Sequence, residues 1–76
     1  MNFKEFIDRI ESFISHVFFK YNGKNCVVDP FNAHNFILVY GDFEVECKSI
    51  DEVKNGKYFD GKSLAEIFDN ITDIEY

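Results

Sequence analysis

The chain has 76 residues, a net charge of −6 and 46% hydrophobic residues, with ten Phe and four Tyr among them. That length makes one domain with a small core, and the aromatic load excludes a disordered chain. The acidity excludes a nucleic-acid binder, because phosphate contacts need clustered Lys and Arg, and here only Lys54, Lys57 and Lys62 gather, interrupted by Asp60.

Other classes fall away on pattern. No apolar run approaches a membrane span, and no basic stretch followed by an apolar segment reads as a secretory signal. Two cysteines are too few for a disulfide framework. The expected setting is therefore the cytoplasm, with both thiols reduced. Phe, Ile, Asn, Lys and Tyr, which AT-rich codons recruit, make up nearly half the chain. That composition fits an accessory protein of a low-GC bacterium or of its mobile elements, phage included.

Residues 3–14 read as an amphipathic helix. Phe3, Phe6, Ile7, Ile10, Phe13 and Ile14 recur at helical spacing. Asn2 supplies an N-cap, with Glu5 three residues on. The chain then turns to strands. Asn22-Gly23 between two β-prone runs calls for a type I′ turn, since both central residues need positive φ. A two-residue loop there pairs Tyr21 with Lys24, Phe19 with Cys26 and Val17 with Val28. Gly41-Asp42 suits a type II′ turn and pairs Tyr40 with Phe43, Leu38 with Val45 and Phe36 with Cys47.

Side chains alternate faces along a strand. This register gathers Val17, Phe19, Tyr21, Cys26, Val28, Phe36, Leu38, Tyr40, Phe43, Val45 and Cys47 on one face, which is the core. The other face holds His16, Phe18, Lys20, Asn25, Val27, Asp29, Ile37, Val39, Glu44 and Glu46. A slip of one residue would exchange the sets. Pro30 is expected to end the second strand, because it cannot donate to a ladder, and 31–35 to form a loop.

Ser49 with Glu52 has capping-box spacing ahead of a helical turn at 50–54, which Asn55-Gly56 breaks. Residues 57–62 read as a loop. A last helix over 64–71, capped by Ser63 with Glu66 as partner or by Asp60 if it starts earlier, buries Leu64, Ile67, Phe68 and Ile71, and Ile74 and Tyr76 follow in a tail. The expected fold is α+β: an N-terminal helix, a four-stranded antiparallel meander of two hairpins, a short helical turn and a C-terminal helix, all helices on one sheet face.

Residues 56–63 read G-K-Y-F-D-G-K-S, a formal match to a phosphate-binding P-loop. That chemistry requires a buried parallel strand before the loop and a long helix after it. Here Asp51-Glu52-Val53-Lys54-Asn55 precedes it, only thirteen residues follow Ser63, and Asp60 would repel a phosphate. His16, Cys26, His34 and Cys47 have the ligand types of a zinc site but no knuckle spacing, and His16 falls on the face opposite Cys26. The same geometry works against a Cys nucleophile with a His base. Glu44 and Glu46 share a strand face without a cleft to separate their pKa values. Neither metal, cofactor nor catalysis is expected.

What remains is the second sheet face. Phe18, Val27, Ile37 and Val39 form an apolar band rimmed by Glu44 and Glu46, unusual if exposed on a monomer. Three covers compete: the tail at Ile71, Ile74 and Tyr76, a second copy in a homodimer, or a protein partner. The leading expectation is a small non-enzymatic interaction module working through that face. The alternative is a small-ligand or anion-binding protein using Lys57, Lys62 and Ser63 at the N-terminus of the last helix. A third is a subunit of an enzyme whose catalytic residues lie on another chain.

Overall fold

Asn2 opens the first helix by accepting the Glu5 N–H on its side chain at 2.8 Å, leaving one fewer orphan donor. In this computed structural model, which describes residues 1–13 and 16–75, helix α1 spans Phe3–Glu11. It is shorter than the expected 3–14. The Ser12 hydroxyl donates to the Arg9 carbonyl at 2.6 Å, and Phe13 leaves the helix with φ at 56°. Its ring then lies 6.1 Å from that of Phe36. Ile14 and the tail residue Tyr76 lie outside the described residues.

Four strands follow as a meander: β1 at Val17–Tyr21, β2 at Lys24–Asn32, β3 at Asn35–Tyr40 and β4 at Phe43–Cys47. Both turns have the expected geometry. Asn22 and Gly23 carry φ of 57° and 77°, and at the second turn Gly41 has φ of 59°. The register is the one that the turns dictate. Val17 faces Val28 and Tyr21 faces Lys24, while Phe36 faces Cys47 and Tyr40 faces Phe43.

Pro30 does not end β2. It lies inside the strand, buried, opposite Phe36. The described part of β1 begins at Val17 opposite Val28, so at Pro30 the strand pairs on one side only among the described residues. A missing N–H is tolerated there, and the register shifts just beyond it. The expected loop at 31–35 shrinks to a turn at Ala33 and His34, whose N–H donates to Asn32 Oδ1 at 2.8 Å.

The sheet has five strands rather than four. After α2 at Ile50–Asn55 and α3 at Leu64–Ile67, the expected last helix tightens into a 3-10 turn at Phe68–Asn70. The chain then adds β5, Thr72–Glu75, antiparallel to β1 at the sheet edge, for the order β4-β3-β2-β1-β5. Glu75 faces Phe18 and Thr72 faces Lys20, so Asp73 and Ile74 together oppose Phe19 in a bulge. Asp73 takes positive φ there, at 54°. Such a bulge twists an edge away from further pairing.

The helices cover the inner face. Phe6, Ile7 and Ile10 of α1, Val53 of α2, and Leu64 and Ile67 of α3 bury against Val17, Phe19, Cys26, Val28, Phe36, Leu38, Tyr40 and Cys47. Phe43 departs from the expected core set. It is 47% exposed on the edge strand β4 and stacks on Tyr58, rings 6.3 Å apart.

The expected loop at 57–62 contributes a central core residue, Phe59, which is fully buried. Its ring lies 5.3 Å from that of Tyr40 and 6.2 Å from those of Phe19 and Tyr21. Gly56 matters for room rather than for φ. A Cβ there would come within 2.1 Å of the Tyr58 ring.

Two stability outcomes follow from this packing. Phe59→Ala should cost about 3–5 kcal/mol, since it empties a fully enclosed ring site, and chemical denaturation of both proteins measures it. Gly56→Ala should cost about 1–3 kcal/mol, because it displaces the Tyr58 ring. An unchanged midpoint for Gly56→Ala would mean that Tyr58 has another place to go.

Candidate docking face

Because β1 to β4 hold a single register, one cross-strand row runs over the whole outer face. From β4 to β5 it reads Glu44, Val39, Val27, Phe18, Glu75. Three apolar side chains are thus bracketed by a carboxylate at each end. The next row reads Glu46, Ile37, Asp29. There His16 Nδ1 approaches Asp29 Oδ1 at 2.9 Å, and the His16 ring packs edge-on to Phe18 at 5.8 Å. On the other side of the apolar row, Lys20 stands between Asn25 and Thr72.

Phe18 is 42% exposed, and Val27, Ile37 and Val39 are half-buried, on the face opposite the helices. An open hollow of about 730 Å³ lies between β1, β2 and β5, with Phe18, Val27, Lys20 and Glu75 on its walls. The sheet therefore brings Phe18, Val27, Ile37, Val39, Glu44 and Glu46 together on one surface. The described tail pairs at the edge of β1 instead of crossing that surface, and Ile71 and Ile74 pack on the core side.

Charge on this face is unevenly compensated. Lys48 Nζ holds Glu46 Oε1 at 2.6 Å. Glu44 has no ion pair among the described residues. Glu75 is the member of the site that sequence reasoning missed. A strand of four residues gives too short an alternation to announce itself, and only its pairing with Phe18 places it on this face.

The residues of the anion alternative lie elsewhere, beyond the inner face. At 59–62 the chain makes a tight hairpin turn, with Phe59 N–H donating to the Lys62 carbonyl at 3.0 Å and Lys62 N–H to the Phe59 carbonyl at 3.1 Å. Asp60 and Gly61 occupy its tip at positive φ. The tip carries a carboxylate already in use. Tyr40 donates its hydroxyl to Asp60 Oδ2 at 2.5 Å and Asn22 Nδ2 donates to the same oxygen at 3.2 Å. The Tyr40 hydrogen bond holds the Asp60 carboxyl below its ordinary range and raises the Tyr40 hydroxyl.

The start of α3 is similarly occupied. Ser63 Oγ accepts the Glu66 N–H at 3.2 Å, and Glu66 Oε1 accepts the Ser63 N–H at 3.1 Å. Lys57 donates to that same Glu66 oxygen. A phosphate at this place would have to displace a carboxylate from both its lysine and its backbone donor.

Both thiols lie on the expected core face. Cys26 on β2 and Cys47 on β4 are buried on the inner face, while His16 is exposed beyond the opposite face. Among the described residues no cluster of three His, Cys, Asp or Glu side chains forms a metal-binding group. Burial pushes the Cys26 thiol up to about 11, the reverse of what a nucleophile needs. No helix among the described residues is long and apolar enough to cross a membrane.

The Glu66 contacts give a pH-dependent outcome. Chiefly through Lys57, they lower its carboxyl from 4.5 to about 2. The folded chain keeps this carboxylate charged where the unfolded chain protonates it. Its stabilising contribution is therefore complete above about pH 4.5 and fades as pH falls towards 2. Glu66→Gln keeps the capping spacing and removes the charge. The stability gap between wild type and Glu66→Gln should close over that window in urea titrations taken at successive pH values. Comparison with known proteins returned no match to this chain among family models, curated proteins or solved structures.

Proposed function

We propose that this protein is a small non-catalytic interaction module that binds a protein partner through the outer face of its sheet. The observation that carries this reading is the row Glu44, Val39, Val27, Phe18, Glu75, apolar at its centre and open to solvent. A small domain has every energetic reason to cover four neighbouring apolar side chains. The described tail does not do so, although it passes along the adjacent strand. Association would bury the band, with Glu44 and Glu46 at the rim setting orientation and encounter rate. The same face could serve a second copy of this chain. The anion reading gains nothing from the start of α3, where Lys57 and the Ser63 N–H are already bonded to Glu66.

Val39→Lys tests this reading. At a half-exposed position on the solvent side of a sheet, lysine should change monomer stability by no more than about 1 kcal/mol. In an interface the same ammonium would be buried without a partner, and association should fall by several kcal/mol, about a hundredfold or more. Unfolding midpoints beside sedimentation mass and partner capture separate the two effects. A monomer strongly destabilised by Val39→Lys would make the band ordinary core and remove the basis of the proposal.

A further inference from the structure

We infer that the open edge of β4 takes up an extended segment of a partner protein as a further antiparallel strand, one whose residues alternate between apolar and basic. This edge is a separate surface from the outer face, so the inference goes beyond the docking role proposed above and does not depend on it.

The register fixes which backbone groups the edge offers. Gly41 N–H donates to the Asn25 carbonyl of β2 at 2.9 Å. Backbone groups of successive residues point to opposite sides of a strand, so Tyr40, Leu38 and Phe36 turn theirs towards β4. Their partners there are Phe43, Val45 and Cys47. The N–H and C=O groups of Glu44 and Glu46 consequently point away from β3, out of the sheet edge. Next in that series is the Lys48 N–H, and the chain caps it, since it donates to Glu52 Oε2 at 2.5 Å. Glu44 and Glu46 have no such cap, and among the described residues their outward groups meet no partner. β4 also pairs with β3 without a bulge over its whole length, whereas Asp73 interrupts β5 at the opposite edge. β4 is thus the regular template for strand addition.

Side chains specify the occupant. An added strand lies about 4.8 Å beyond β4 and continues its alternation. On the helix side it meets Phe43, which is 47% exposed, and Val45, which is partly buried, with Tyr58 stacked on Phe43. An apolar residue of the added strand takes this ring out of water. On the outer side the strand meets Glu44, which has no ion pair among the described residues, and Glu46, held at the surface by Lys48. A Lys or Arg beside Glu44 completes an opposite-charge pair across the strands. The two faces of one strand therefore ask for apolar and basic residues in alternation.

A second copy of the chain fits this edge poorly. Antiparallel pairing of β4 with β4 puts a two-fold axis perpendicular to the sheet, which keeps outer side chains on the outer side. Every register centred between Glu44 and Glu46 then sets a glutamate beside a glutamate, in molecules that each carry a charge of −6.

The probe is a synthetic peptide of about eight residues in which Val and Lys alternate. A Val-Glu repeat is the charge control. Two further versions carry N-methyl groups on every Lys nitrogen of the backbone or on every Val nitrogen. Opposite Glu44 and Glu46 in an antiparallel pair stand the Lys residues, whose N–H groups face β4. Methylating them removes the ladder and leaves the charge. Titration of the Val-Lys peptide into the labelled full chain should shift the amide signals of Glu44, Val45 and Glu46 and slow hydrogen exchange at Glu44 and Glu46. The Lys-methylated peptide should bind at least about tenfold more weakly, and the Val-methylated one about as well as the parent. The Val-Glu repeat should bind several-fold more weakly. Glu44→Gln keeps side-chain size at an exposed position, so the same spectra check its fold. It should weaken the Val-Lys peptide a few-fold and flatten the dependence on salt. Failure of the Val-Lys peptide to bind would overturn the inference. So would equal binding of the Lys-methylated peptide, which would reduce the effect to charge attraction, or equal binding of the Val-Glu repeat. Shifts centred on Phe18 and Val27, with exchange at Glu44 and Glu46 unchanged, would remove the edge site and leave the outer-face role standing.

Discussion

One residue of register separates the core of this protein from its outer face. Every strand alternates, so a slip of one position in either hairpin would turn Phe19, Val28, Leu38 and Cys47 outward and bring Lys20, Asp29 and Glu44 in. Two turns prevent it. Asn22-Gly23 accepts positive φ at both positions and Gly41 accepts it at the next turn, so each loop has two residues and one pairing. The sorting of the whole molecule follows from that constraint. Helices cover one face because its strands supply buried apolar residues in unbroken series, and the opposite face keeps its carboxylates in water.

The segment that looks like a phosphate loop illustrates how pattern and context part. Its glycines and lysines fit the pattern, but most of the segment is committed to packing and capping. Phe59 anchors the segment in a ring of aromatics, and Asp60 ties its tip to Tyr40 and Asn22. Gly56 makes room for Tyr58, and Lys57 serves the cap of α3 through Glu66. A phosphate site needs free backbone donors. Here the N–H groups of Phe59, Lys62 and Ser63 are bonded within the chain.

Edges show the same economy. On one side of the sheet β5 closes β1 with a bulge at Asp73 and Ile74, which discourages further pairing. On the other, β4 is short and alternates Glu44 and Glu46 on its outer side. Both edges thus carry acidic side chains beside an apolar middle. The proposed docking face and the control of edge aggregation draw on the same residues.

The sequence by itself determined the α+β class, the pairing of both hairpins, the starts of the first two helices and the identity of the outer apolar band. These are local matters: a turn type demands particular residues at particular φ, a cap demands a side-chain acceptor, and alternation follows from the pleat. Tertiary structure decided the rest. Helix α1 ends at Glu11, and Phe13 turns out of it at positive φ with its ring near that of Phe36. Pro30 stays within β2 where its strand pairs on one side among the described residues. Phe59 leaves its loop for the core, and residues 72–75 become a strand only because β1 offers an unpaired edge. That last pairing sets Glu75 at the far end of the apolar row. Each of these outcomes depends on a neighbour distant in the chain, and no local pattern of residues encodes such a neighbour.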